Sequence, residues 1–159
     1  MSIIARKAEL EDWAAVRDCW QTLKDSRHSW KIEGEEPVLR AYYQSGLVTG
    51  ALFFPILVEE DTGIVRGFAI MQEASMPSPS ADGLTIMFYP HSFIRALYVQ
   101  SGVSPEDSLK LDALMTTWAQ DRNHILMTGN CRLDFPERFA QRYGYFRQHV
   151  VLTKRLKEV

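Results

Sequence analysis

Along this chain apolar residues recur at two spacings, one near the helical 3.6 and one at the strand period of 2, and the places where the spacing switches outline the elements. "IIARKA" from Ile3 predicts a short strand. In "EDWAAVRDCWQTLKDS" the residues Trp13, Val16, Trp20 and Leu23 fall on one helical face, so that face is core. A polar segment, "RHSWKIEGEE", leads to a weaker helical pattern around Pro37 to Gln44, with Gly46 as its expected stop. "ALFFPILVEE" and "GIVRGFAIMQEA" are β-rich runs joined by "EDTG", whose Asp and Gly suit a tight turn, so an antiparallel hairpin is expected. "SMPSPSADG" reads as a loop because Ser, Pro and Gly crowd it. "SFIRALYV" then reads as a central strand.

The stretch "LYVQSGVSPEDSLKLDAL", Leu97 to Leu114, runs from strand through a tight turn straight into a helix. Ser104 can cap the free amides, Pro105 suits the first helical position, and Asp107 stands where a capping-box acid reaches back. Leu111, Leu114, Met115 and Trp118 form the buried stripe. "HILMTGN" predicts another strand. "DFPERFAQRYG" repeats the helix start with Asp134 as cap and Glu137 three residues on, and Gly144 is its stop. "YFRQHVVLTKRL" closes the chain as a strand, and no internal repeat is evident. Trp13, Trp20, Phe68, Leu97, Leu114 and Trp118 are the expected core. The strand ending near Val99 is expected to diverge from the one beginning near His124.

Composition narrows the classes. A chain of 159 residues with 46% apolar and 11% aromatic content can build one core without staples, so residues 1–159 are expected to form a single domain. The formal charge of −2 leaves no footprint for nucleic acid or an anionic membrane. Cys19 and Cys131 stand far apart without CxxC spacing, which fits a reducing compartment and argues against both a disulfide framework and a structural zinc site. The opening "MSIIARKAELED" has no apolar signal region, and the longest apolar run, Ala51 to Val58, is short for a bilayer and holds Pro55. A cytoplasmic protein is expected. No HExxH, nucleophile elbow or P-loop occurs.

The order strand, one or two helices, antiparallel hairpin, strand, helix, strand, helix, strand resembles the GNAT superfamily of acyl-coenzyme A N-acyltransferases. "IIARKAELEDWAAV" is similar to the family's opening strand with an Arg and an acidic residue before the first helix, "LYV" enters the turn, and "RFAQRYGY" is similar to its late helix ending in Gly plus an aromatic. The resemblance spans nearly the whole chain. It implies an α/β (α+β) fold with a mixed central sheet splayed near its middle and flanked by helices. It implies acetyl-CoA as co-substrate, with the pantetheine along the fourth strand and the pyrophosphate on the turn after it, which makes Leu97, Val99, Val103, Ser104 and Ser108 the cofactor-binding candidates. Two departures stand out. The family's spaced glycines are replaced here by Val103, Ser104, Pro105, Glu106, Asp107 and Ser108, and the tyrosine that follows the family's phenylalanine is Ala140.

The remaining candidates follow from residue chemistry. Glu73 at the end of a hairpin strand is a candidate general base, and an ordinary solvated glutamate is the alternative. Arg95 sits in a strand where a charge needs a partner or a cleft, so it can bind a carboxylate of substrate or cofactor or make a structural ion pair. Tyr98 and Asn130 are candidates for orienting a substrate, with structural hydrogen bonding as the alternative. His91, in the expected loop and exposed, is a substrate-side candidate. Arg138 and Arg142 share a helix face, solvated or turned to a phosphate. The readings are an acyltransferase acting on a small-molecule or protein amine by direct attack, or a catalytically degenerate GNAT-like binding or assembly module.

Overall fold

A computed structural model describes residues 2–25, 36–79, 84, 86–124 and 126–129. Contacts divide the chain into two units, Met1–Gly129 and Asn130–Val159. The expected helix from Asp134, the closing strand, Asn130, Cys131, Arg138, Ala140 and Arg142 all lie outside the described residues.

The elements of the first unit are β1 (Ile3–Lys7), α1 (Trp13–Asp25), α2 (Glu36–Thr49), β2 (Leu52–Phe53), β3 (Pro55–Glu59), β4 (Val65–Pro79), β5 (Ile86–Val99), α3 (Pro105–Gln120) and β6 (Met127–Gly129). They build a mixed sheet in the order β1-β3-β4-β5-β6, with β2 also paired to β4. Every described pairing is antiparallel except β5 with β6, which is parallel and follows the α3 crossover. That parallel pairing covers Ser92–Ile94, and from Arg95 to Val99 the strand has no partner on this side among the described residues.

A helix layer covers each face of the sheet. Trp13, Val16 and Trp20 of α1 and Leu39 and Tyr43 of α2 pack on Phe54, Ile56, Phe68 and Ile70. Leu111, Met115 and Trp118 of α3 pack on the other face against Ile3, Phe53, Leu57, Ala69 and Met71. Of the expected core, Trp13, Trp20, Phe68 and Trp118 are buried, while Leu97 and Leu114 are half-buried at its edge. Trp118 is 8% exposed and stacks on Phe53 with ring centroids 5.2 Å apart, so the helical phase read for α3 holds. At the start of α1, Asp12 takes both terminal nitrogens of Arg6 at 2.7 Å and accepts the backbone amide of Glu9. The Arg and acid of the opening motif are thus one ion pair that ties β1 to the first helix.

Four expectations are corrected. Gly46 does not end α2, which runs on to Thr49; Gly46 is buried because a Cβ there would meet Leu52 at 2.5 Å, and the chain turns at Gly50, where φ is +69°. "ALFFPILVEE" is split at Phe54 into β2 and β3. The "SMPSPS" stretch is not all loop, because β4 continues through it to Pro79 and β5 begins at Ile86. The amide of Ser92 points to Leu126, and alternation from that residue puts Pro77, Pro79 and Pro90 at positions whose N–H would face away from the partner strand, where proline forfeits no ladder bond. Among the described residues of "HILMTGN", Met127 to Gly129 are strand, and His124 lies before them, outside the strand.

Candidate active site

The register of β4 against β5 slips by one residue beside the centre of the sheet. Ile70 pairs with Ala96 and Met71 with Ile94, so Arg95 is the extra residue of a β-bulge. The bulge sets which side chains share a face. Ser92, Ile94, Leu97 and Val99 belong to the α3 side, while His91, Phe93, Ala96 and Tyr98 belong to the α1/α2 side.

On the α1/α2 side, Arg95 is exposed and its Nε donates to Oε1 of Gln72, the residue cross-strand from Phe93. Tyr98 packs against Phe68 with ring centroids 6.3 Å apart. Burial pushes its phenol above the usual tyrosine range. His91 departs from expectation. It is a residue of β5, not of a loop, and is 7% exposed, and among the described residues its Nδ1 has no partner. Tyr42 of α2 also carries a buried hydroxyl without an acceptor among the described residues. Burial pushes its phenol up, and the guanidinium of Arg95 pulls the other way.

Glu73 is on the opposite face. It follows Ala69 and Met71 at strand spacing and forms an ion pair with Nε of Arg122 at 2.9 Å, just past the end of α3. Arg122 in turn rests 4.3 Å from the ring centroid of Trp118. Ser92, cross-strand from Glu73, is fully buried, and its Oγ lies 2.8 Å from Nδ1 of His124. Arg95, His91 and Tyr98 therefore share a face, and Glu73 is separated from them by the thickness of the sheet.

The amide of Gln100 donates to Arg66 O on β4, and alternation from it turns the N–H and C=O of Leu97 and Val99 outward, to the edge that has no described partner. Their side chains pack beneath α3 together with Val103. In the turn that follows, Gly102 adopts φ +96°, and the amides of Gly102, Ser104 and Glu106 meet no acceptor among the described residues. Ser104 caps α3 as expected. Its Oγ accepts the amide of Asp107 at 3.0 Å and donates to that residue's carboxylate at 2.8 Å. Asp107 is turned along the helix to Lys110 at 2.7 Å, and the Lys110 ammonium, with the Ser104 hydroxyl, holds its carboxyl below the ordinary range. Ser108 is buried and its hydroxyl donates to Pro105 O. Within this turn Glu106 remains exposed beside the helix end.

Sequence reasoning missed Gln72, Tyr42, Arg122 and the Ser92–His124 pair. Gln72 was within reach through strand alternation, but only a correct bulge would have put it beside Arg95. The other three depend on helix docking and carry no local signal. Among the described residues no set of His, Cys, Asp and Glu could hold a metal ion, and no helix is long and apolar enough to cross a membrane.

No protein-family model and no curated protein matches the chain by sequence. Solved structures do match its fold. AAC(6')-Iy in complex with the bisubstrate analogue CoA-S-monomethyl-acetylneamine superposes with a TM-score of 0.76 at 14% identity, over 99% of each chain. A glucosamine-6-phosphate N-acetyltransferase from Arabidopsis thaliana gives 0.70 at 11% identity, over 99% of this chain and 100% of that one. A GNAT family acetyltransferase from Staphylococcus aureus gives 0.66 at 18% identity, over 98% of this chain and 100% of that one.

Proposed function

We propose, for a chain that has the fold of the GNAT acetyltransferases, that it transfers an acetyl group from acetyl-CoA to an amine by direct attack. The observation that carries this reading is the outward edge of β5 at Leu97 and Val99, which runs straight into the open amides of the turn before α3. Pantetheine contains two amides, and an unpaired strand edge offers donors and acceptors at the spacing to meet them. The pyrophosphate would then meet the amides of Gly102, Ser104 and Glu106 at a positive helix end. The side chains of Ser104 and Ser108 are occupied within the helix, so their part there is structural.

In the transfer, the lone pair of a neutral amine attacks the thioester carbonyl carbon. The N–C bond forms and the C–S bond breaks, with the electron pair leaving on sulfur. A thiolate whose acid has a pKa of roughly 8–9 departs without a strong acid and takes its proton from solvent. The amine proton is taken up by ordered water on the Arg95 face, since Glu73, which Arg122 holds in place, lies on the opposite face of the sheet. Tyr98 and Arg95 line the face on which the amine is oriented.

Calorimetric titration of acetyl-CoA, followed by thiol release with a panel of primary amines, tests the reading. Binding with turnover supports it. Binding without transfer to any amine favours a module that has kept the cleft and lost the chemistry, a reading for which the exposed Glu106 beside the phosphate position speaks. Absence of binding overturns both.

A further inference from the structure

Arg6, Arg17, Arg66 and Arg122 each pair with a carboxylate of this chain. Arg95 does not, among the described residues. Its one described partner is the neutral amide oxygen of Gln72, which takes Nε and leaves the two terminal nitrogens of the fork unengaged. An arginine held by one nitrogen has lost part of its rotamer freedom before any ligand arrives. The bulge at Arg95 sets the local direction of the chain there. Within electrostatic range stands Tyr42, whose buried hydroxyl has no acceptor. A buried hydroxyl left unpaired is a standing cost, and a site in waiting is one of the few reasons a fold retains it.

Both groups are donors, and together they carry one positive charge. The complementary ligand is an acceptor-only monoanion with two oxygens, which is a carboxylate. We propose that the acceptor amine of this protein bears a carboxylate, which docks on the fork of Arg95 and accepts from the phenol of Tyr42. This rests on the acetyl-transfer reading above and names the class of its acceptor: compounds that hold an amine and a carboxylate a few bonds apart. Gln72 acts as a positioning residue for Arg95. Farther along the same strand face stands His91, whose Nδ1 is also buried and has no partner among the described residues.

The test compares 4-aminobutyrate with 4-aminobutyramide, which differ only in the anion, and adds glycine, β-alanine and 6-aminohexanoate to vary the reach. Thiol release from acetyl-CoA reports turnover, and isothermal titration of the same compounds into the protein reports binding independently. The expected result is a lower KM for 4-aminobutyrate than for its amide. Arg95→Gln raises the KM for 4-aminobutyrate by about tenfold to a hundredfold, with little change in kcat, and the KM for the amide by a clearly smaller factor. Arg95→Lys recovers only part of this, since it restores charge without the fork. Tyr42→Phe raises the same KM by about threefold to tenfold and leaves thermal stability equal or higher, an outcome that a structural hydroxyl would not give. Equal acetylation of both members of the pair overturns the proposal and leaves the transfer reading intact. Arg95-dependent binding of 4-aminobutyrate without turnover upholds the anion site and sinks the transfer reading. No preferential binding of the carboxylate in either assay overturns the proposal.

Discussion

Glu73 and Arg122 lie 2.9 Å apart across the junction between the third antiparallel strand of the sheet and the turn that closes α3. Glu73 is therefore clamped by a residue that is itself seated on Trp118.

Glu73→Gln keeps the shape and removes the carboxylate on the α3 face. With water taking the proton on the Arg95 face, turnover should change less than about threefold, and the unfolding temperature should change little as well, because an ion pair with 58% and 36% exposed side chains contributes little to stability. Steady-state thiol release beside thermal unfolding reads both. A fall in kcat of about a hundredfold would show instead that the amine is deprotonated from the α3 side.

The two acids at the start of α3 should behave differently. Glu106→Gln should tighten coenzyme A binding a few-fold at low salt, the gain shrinking as ionic strength rises, since an exposed charge at a helix end is worth roughly 0.3–1 kcal/mol and is screened. Asp107→Asn should chiefly cost stability, because that carboxylate is spent on Ser104 and Lys110. Calorimetric titrations at two salt concentrations, alongside chemical unfolding, distinguish the pair; equal tightening by both would mean that Asp107 also faces the phosphates.

Acid should weaken the fold through Asp12 and Asp107. The Arg6 guanidinium holds the Asp12 carboxyl below its ordinary value near 3.8, and Lys110 does the same for Asp107. A carboxyl depressed in the folded state adds stability above the unfolded pKa and loses it as pH falls through the folded value. Unfolding temperature should therefore drop below about pH 4, and Asp12→Asn should be less stable at neutral pH with a shallower acid limb. Parallel slopes for the two proteins would show that the Arg6 pair does not contribute.

Gly46 is held to its size by Leu52. Gly46→Ala gains up to about 1 kcal/mol of helix propensity, but the new methyl would sit 2.5 Å from Leu52 Cδ1, and overpacking costs about 1–3 kcal/mol. Net destabilisation is expected by urea unfolding. Combined with Leu52→Ala, the substitution should cost less than the sum of the two singles, because the cavity accepts the methyl.

Much of the helical layer was legible from local signals. Ser104, Pro105 and the stripe through Leu111, Met115 and Trp118 act within one helical turn of one another, and the pattern at Trp13, Val16 and Trp20 is of the same kind. The pairing of Arg6 with Asp12 spans only the corner between strand and helix. What escaped was set by neighbours distant in sequence. Pro77 and Pro79 look like loop residues until their position on an edge is known, His91 looks exposed until the hairpin is seen to reach past it, and Gly46 looks like a stop until Leu52 is packed on it. Of the candidate site, Arg95 and Tyr98 share a face only because of the bulge, which strand alternation does not foretell, whereas the opposite placement of Glu73 follows from alternation along β4 that was not carried through.

The bulge at Arg95 gives β5 a phase as well as a direction. Counted without it, Ser92, Ile94, Ala96 and Tyr98 would all look the same way; with it, the strand changes parity midway, so that Ile94 and Leu97 both reach α3 while Phe93 and Tyr98 both look toward α1 and α2. Deletion of Arg95 alone would close the bulge and leave the faces as they are, with Ile94 and Leu97 toward α3 and Ala96 and Tyr98 toward α1 and α2; what it would remove is the guanidinium and the local change of direction. In evolutionary terms the bulge is a reserve of one residue: the strand could lose Arg95 and keep both faces, so the sheet itself does not require that residue.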